Sequence, residues 1–514
     1  MKPSSSSSTE GKGILAQNTL VNVMGRGIPL LFAVIAIPFV IDGLGTERFG
    51  VLTIVWIVIG YFGLFDMGLG RATTKFVADE EVRGGGQLSP IIFTSIFLLI
   101  GFGIITGLLI VVATPYLVND LLNIPAPLIE ETRKAFYILS ISIPLVLGSV
   151  GGRGVLEAQQ RFTLVNAVKI PASTLNYVGP LFILPFSNQL HHVVLLLVVG
   201  RGASFIIYLY YSCRDQQFLK PSEYPFFHWA KKLLGFGAWL TISNFISPIM
   251  VYMDRFILGA ILTMSAVAYY TTPYEMVSRL GIISGGFMGV MFPAFSVYSL
   301  KDEKKLTALH QKSIRYLLLA LIPLVTFLIL TAEPLLYYWL GSEFAENSTL
   351  VLQILAAGVL INCIAMVPST LIQAVGRPDI RAKLHMAELP VYLVMIWFFA
   401  HYMGVVGVAL AWLLRVVIDG GFLLFFCNRL VSFMNPNNRG TLYRQLLLYT
   451  TVFIFLAVLF FLIEGRVMVL AFGSFAALLS FYLIWSRTLK QDERRRVIGL
   501  SREVKKMIAS TADR

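Results

Sequence analysis

The chain reads as fourteen apolar runs separated by short polar turns. They cover residues 14–40, 49–69, 89–113, 134–157, 163–186, 191–211, 233–258, 267–295, 313–332, 349–374, 383–401, 404–427, 443–463 and 466–486. Nearly all are long enough to cross the hydrocarbon core of a bilayer as a helix rising ~1.5 Å per residue. The pattern predicts an all-α polytopic membrane protein. It leaves no soluble domain, because the longest outer turns, Thr114–Arg133 and Thr331–Ser348, run to about twenty residues. The first run is too long for a signal-peptide core and lacks a small-residue cleavage pattern, so it is expected to be retained. The Ser-rich segment 1–13 is expected to be a disordered cytoplasmic terminus.

The polar turns alternate in charge. One side receives residues such as Lys75, Arg83, Arg161, Lys220, Lys304, Arg381 and Arg439, together with the tail triplet Arg494-Arg495-Arg496. The other side receives Arg48, Arg133, Lys134 and Arg466. By the positive-inside rule the basic side is cytoplasmic, and an even number of spans puts both termini there. The net charge of +13 is then a topology signal and not a nucleic-acid patch. Composition agrees: 57% of residues are hydrophobic and only 13% charged, about half the charge of an ordinary soluble chain. Cys213, Cys363 and Cys427 show no paired spacing, so neither a disulfide nor a metal site is expected.

Two alignments point to an internal duplication. Leu44, Gly63 and Gly68 fall on Leu262, Gly281 and Gly286, and Ala158 and Arg161 fall on Ala374 and Arg377. Both joins have nearly the same offset, so the repeat unit is six spans. The expected organisation is an N-lobe (14–211, spans 1–6), a cytoplasmic linker (212–232), a C-lobe (233–427, spans 7–12), two further spans (443–486) and a basic cytoplasmic tail (487–514). Six being even, the lobes would be related by a pseudo-two-fold axis along the membrane normal, with a site between them near the midplane.

Several stretches carry a resemblance. Leu-Gly-Thr-Glu-Arg-Phe-Gly at 44–50 and Asp66-Met67-Gly68-Leu69-Gly70 are similar to the first hairpin of polysaccharide-export flippases. The stretches Tyr252-Met253-Asp254-Arg255-Phe256-Ile257-Leu258-Gly259, Leu335-Leu336-Tyr337-Tyr338-Trp339-Leu340-Gly341 and Gln373-Ala374-Val375-Gly376-Arg377-Pro378 extend the likeness over nearly the whole chain. The chain resembles the O-antigen (Wzx-type) flippases of the multidrug, oligosaccharidyl-lipid and polysaccharide exporter superfamily. The resemblance implies a MATE-like pair of six-helix bundles that alternate access. It implies movement of undecaprenyl-diphosphate-linked oligosaccharide from the cytoplasmic to the outer leaflet of the inner membrane. It also implies partnership with a polysaccharide polymerase and a chain-length regulator, and a cationic central cavity to which Arg26 and Arg255 would belong.

Five arginines sit inside spans: Arg26, Arg201, Arg255, Arg279 and Arg415. Each would cost roughly 2.5–3.5 kcal/mol facing lipid, so they are expected to face an interior. Arginine suits phosphate because its planar fork donates two parallel hydrogen bonds and stays charged. All five are candidate substrate-binding residues. The competing expectation is structural pairing: Glu275 stands four residues before Arg279, Asp419 four after Arg415, and Asp254 beside Arg255. The aromatics around spans 7 and 8, among them Tyr270 and Tyr274, could stack on sugars or simply pack.

No Gly-x-x-x-x-Gly-Lys-Ser/Thr stretch exists to bind ATP phosphates, so no nucleotide cofactor is expected. A proton or sodium gradient is the remaining drive, with Asp254, Glu275, Glu388 and Asp419 as candidates for ion coupling or for charge pairing, and His385 beside them. Asp66, with Arg71 five residues on, is expected to serve a helix end. A cation-coupled multidrug exporter of the same fold is the alternative reading. A membrane glycosyltransferase or O-antigen polymerase fits less well, because no outer loop is long enough to present acids and arginines to a glycan.

Overall fold

The computed structural model describes residues 27–62, 66, 68–84, 86–214, 225–430, 463 and 465–488. Arg26, the terminus 1–13, the span 443–463 apart from residue 463, and nearly all of the tail lie outside the described residues. The described residues form helices and turns, with no strand among them. Nine of the helical segments are long and apolar enough to cross a membrane.

One compact unit comprises Met1–Ala268 and the other Tyr269–Arg514. The first is built from α1 (Gly27–Leu44), α2 (Thr46–Phe62), α3 (Leu69–Val82), α4 (Leu88–Tyr116), α5 (Ile129–Ala158), α6 (Phe162–Ile183), α7 (Leu190–Cys213) and α8 (Phe226–Ile261). Helix α9 (Met264–Ser278) begins in it. The second unit holds most of α9, then α10 (Gly281–Lys301), α11 (Glu303–Leu330), α12 (Ala332–Leu340), α13 (Ser342–Ala374), α14 (Pro378–Leu430) and α15 (Arg466–Leu483). Helix α14 is two antiparallel arms that reverse at Gly404, where φ is +59°. In the first unit α5 is central, packing against α2, α3, α4 and α7. In the second α13 has that place, against α10, α11, α12 and α14.

The duplication shows in the helix boundaries. Helix α2 begins at Thr46 and α9 at Met264, the offset of the first alignment. Helix α5 ends at Ala158 and α13 at Ala374, and α6 and α14 begin at Phe162 and Pro378, the offset of the second. The apolar run 267–295 lies within Met264–Ser299, a segment long and apolar enough to cross a membrane, with a turn at 279–280 between α9 and α10. In the run 49–69, α2 is described to Phe62 and a new helix, α3, starts at Leu69 after Gly68 in the left-handed region. The turn 331–348, expected from the charge pattern on the outer side, carries a helix, α12.

Several helix ends of the first unit are clamped. Asn123 donates through its backbone N–H to the Gly259 carbonyl (2.7 Å) and through Nδ2 to that of Ala260 (2.9 Å), satisfying carbonyls that the end of α8 leaves open. Glu131 accepts from Arg48 Nε (3.2 Å) and from the Leu190 backbone N–H, tying α2, α5 and α7 together. In the second unit Asp302 caps α11, accepting from the Lys305 backbone N–H at 3.1 Å, which holds its carboxyl below the usual range.

Gly50, from the 44–50 motif, sets the approach of α2 to the start of α9: a side chain there would meet the Met264 carbonyl oxygen at 1.9 Å. Alanine normally stabilises a helix interior by about 0.5–1 kcal/mol over glycine. Gly50→Ala is expected to do the reverse, by roughly 1–3 kcal/mol of overpacking. Gly289→Ala, with open space around it, is the control that should hold or raise the melting temperature in detergent. Equal melting temperatures for the two variants would remove the close approach as the reason for Gly50.

Candidate functional site

The intramembrane arginines meet four different environments. Arg255 is fully buried together with Asp254. Its Nη1 lies 3.7 Å from Asp254 Oδ1, and its guanidinium carbon 5.2 Å from the centre of the Tyr252 ring. Asp254 Oδ1 also accepts the Arg255 backbone N–H at 2.8 Å. Arg279 sits at the break between α9 and α10, half exposed, and pairs with Glu275 at 2.5 Å. The spacing of four residues brings the two charges to one face of the last turn of α9.

Arg201 differs from both. It lies midway along α7, and its Nη2 donates to Asn176 Oδ1 of α6 at 3.0 Å. A cation is thus held inside an apolar helix by a neutral amide.

Arg415 belongs to a cluster on α14. Arg381, His385, Glu388 and Tyr392 follow one another at helical spacing on the first arm, and Arg415 and Asp419 face them from the second. Nδ1 or Nε2 of His385 and one oxygen each of Glu388 and Asp419 lie within 4.8 Å of one another. Both arginines act electrostatically on both carboxyls. Arg415 lies 5.3 Å from the Tyr392 ring centre, and Arg381 donates to Ser369 Oγ of α13. Glu388 and Asp419 are 7% and 5% exposed, and their carboxyls hydrogen-bond to each other, while Arg415 Nε is enclosed with no hydrogen-bond partner. Three such side chains could in geometry surround a cation, but the two flanking arginines oppose a divalent one.

A cavity of about 700 Å³ opens along the same hairpin. At its open end stand Arg377, Lys383 and Arg429 with one acid, Asp379. Glu388, Tyr392 and Arg415 line it midway, among apolar side chains that include Val391, Ile418 and Phe422.

The remaining candidates resolve into structure. The Asp66 carboxylate accepts from the backbone N–H of Gly68 (2.9 Å) and Gly70 (3.0 Å), with Gly68 at φ +69°, so it opens α3 as a helix-end residue. Tyr270 and Tyr274 stack at 6.0 Å, and Tyr274 meets Trp412 edge-on at 5.6 Å, all three buried. They pack rather than present open faces. Arg381 escaped the sequence reading because it was counted as a loop charge. The spacing Arg381, His385, Glu388, Tyr392 was the signal that would have found it.

The family described as Polysaccharide biosynthesis protein matches residues 15–299. A putative O-antigen transporter of Shigella flexneri is 33% identical over 420 residues, 81% of this chain and 99% of that one. The chain belongs to the polysaccharide biosynthesis protein family. The fold of this family member is similar to two solved transporters. One is an inward-facing multidrug resistance MATE transporter of the MOP superfamily, with a TM-score of 0.66 and 16% identity over 80% of this chain and 98% of that one. The other is the lipid II flippase MurJ in an inward closed conformation, with a TM-score of 0.65 and 15% identity over 92% and 99%. Both likenesses speak for the MATE-like helical fold expected from the motifs.

Asp66→Ala is expected to cost about 0.5–2 kcal/mol, the usual loss of a helix-end acceptor, while Asp66→Asn keeps part of it. Thermal unfolding in detergent checks the order. A transport defect in Asp66→Asn at unchanged stability would overturn the structural assignment.

Proposed function

We propose that this chain moves undecaprenyl-diphosphate-linked oligosaccharide, an O-antigen or exopolysaccharide repeat unit, from the cytoplasmic to the outer leaflet by alternating access. At the coarser level the chain is a multi-pass membrane transporter of polysaccharide biosynthesis and not an enzyme. The finer reading is supported first by Arg201. A cation kept in the middle of an apolar helix with an amide as its partner is available to an anion in a way that Arg255, closed against Asp254, is not. Phosphate oxygens are the groups that such a guanidinium binds best. In this reading Arg201 and Arg26 hold the diphosphate. Arg255 joins them only when its pairing with Asp254 opens. The cationic drugs expected of a multidrug exporter would be repelled by the same residues. The inner membrane as location, cytoplasmic termini, and a polymerase and chain-length regulator as partners belong to the same proposal.

The test is translocation of an undecaprenyl-diphosphate oligosaccharide in proteoliposomes. Wild type is expected to flip the lipid. Arg201→Ala should slow flipping about tenfold or more, the equivalent of roughly 1.5 kcal/mol for one charge-assisted bond, and Arg201→Lys should restore part of it. Normal flipping by Arg201→Ala makes Arg201 a structural charge. A wild type that flips no such lipid but extrudes small cations overturns the flippase reading in favour of the exporter.

A further inference from the structure

The cavity on the α14 hairpin is as deep as one leaflet of a bilayer. On the first arm its wall runs from Ile380 through Leu384 and Val391 to Met395. On the second it runs from Leu430 back through Phe422 and Ile418 to Arg415. Steps of this size are close to whole helical turns, so each row keeps to one helix face. From Ile380 to Met395 the arm rises ~22 Å at ~1.5 Å per residue. Half of a bilayer, headgroups included, is about 20–22 Å thick. The cavity stops short of Gly404, where the arms reverse. Its volume of about 700 Å³ is that of an ordinary ligand pocket, and its long apolar walls suit a hydrocarbon chain.

The two ends differ in charge. At the deep end the charges answer one another: Glu388 and Asp419 are hydrogen-bonded together, Arg381 and Arg415 act on both, and Arg381 also donates to Ser369 Oγ. At the mouth Arg377, Lys383 and Arg429 stand against one acid. Asp379 accepts from Arg377 at 3.0 and 3.2 Å and from Lys383 at 3.4 Å, so a single carboxylate serves two cations. Arg429 is exposed, lies 4.9 Å from the centre of the Phe425 ring, and pairs with no acid among the described residues. The mouth therefore keeps two positive charges in surplus.

An apolar slot of one leaflet's depth beneath a cationic mouth is complementary to an anionic phospholipid. Two phosphodiester oxygens match the planar fork of Arg429. A zwitterionic headgroup brings its own ammonium into the same mouth and gains less. Moving an acyl chain from the bilayer into the slot gains little, because both are apolar, so headgroup charge decides which lipid stays. We propose that the α14 hairpin seats one anionic glycerophospholipid as a resident lipid, with an acyl chain along the slot and the headgroup on Arg429 and Lys383. The site is separate from Arg201 on the first unit and does not depend on the flippase reading.

Native mass spectrometry of the purified full chain in an uncharged detergent, titrated with phosphatidylglycerol and with phosphatidylethanolamine, tests it. One phosphatidylglycerol per chain is expected at saturation, held roughly tenfold or more tightly than phosphatidylethanolamine, as two surplus cations imply. Arg429→Gln and Lys383→Gln should each weaken phosphatidylglycerol about fivefold. Ala387→Phe fills the slot from an exposed wall position without changing charge, and should weaken it by at least as much. Lys304→Gln, exposed in the first turn of α11 and outside the cavity, should bind as wild type does. All four positions are exposed, so the lipid-free melting temperatures should match. Equal retention of the two lipids overturns the headgroup assignment. Unchanged affinity in both charge variants, or in Ala387→Phe, removes the lipid from this slot. A loss in Lys304→Gln equal to that in Arg429→Gln reduces the effect to diffuse surface charge and overturns the site. Displacement of phosphatidylglycerol by an equal concentration of farnesyl diphosphate makes the slot part of the cargo path and overturns its assignment to a resident lipid.

Discussion

The structure depends on one constraint: a charge or polar group inside the apolar slab must find its partner within the protein. A bilayer interior offers no water to finish an unmade hydrogen bond. The chain meets this at three scales. Single hydroxyls turn back on their own helix, as Thr106 does to the Phe102 carbonyl and Thr370 to that of Met366. Single arginines pair locally, as Arg255 does with Asp254 and Arg279 with Glu275. The α14 cluster is the largest instance, drawing on two arms of a hairpin and on Ser369 of α13.

The degree of closure orders these groups by what they can do. A fully enclosed ion pair such as Arg255–Asp254 has little to offer a ligand until it opens, because separating it leaves two uncompensated charges. Arg201 with Asn176 can exchange partners more cheaply, since a neutral amide gives up less than a carboxylate. The α14 cluster lies between: balanced in charge, with the two carboxyls hydrogen-bonded to each other and Arg415 Nε unpartnered, and beside a cavity that Glu388 and Arg415 line. Transport of an anion requires sites that bind and release. Partly satisfied groups are suited to that and fully closed pairs are suited to holding helices together.

The duplication places the same physical problem twice in the chain. In both copies the second apolar run carries a turn, just before Leu69 in the first and at 279–280 in the second. In the first copy Asp66 meets the open N–H groups of the new helix. In the second, Arg279 stands at the break and is met by Glu275. Breaks of this kind are tolerated at membrane depth only where the chain covers or hydrates the exposed backbone. They are therefore positions where packing, and not hydropathy, decides the path of the chain.

Hydropathy was sufficient for the all-α membrane class, because lipid imposes length and apolarity on every crossing segment independently of its neighbours. The motifs carried the family for the same reason: they are contiguous. Pairings four residues apart, Glu275 with Arg279, were also legible, since a helix alone brings them together. What the sequence could not decide was any partnership between helices. That Arg201 meets Asn176, that Asn123 reaches Gly259 and Ala260, and that Arg381, His385 and Glu388 converge on Arg415 and Asp419 across Gly404 all depend on how helices pack. Hydrophobic packing in a membrane is uniform enough that the pattern of apolar residues does not name the facing helix, so those contacts belong to the tertiary structure alone.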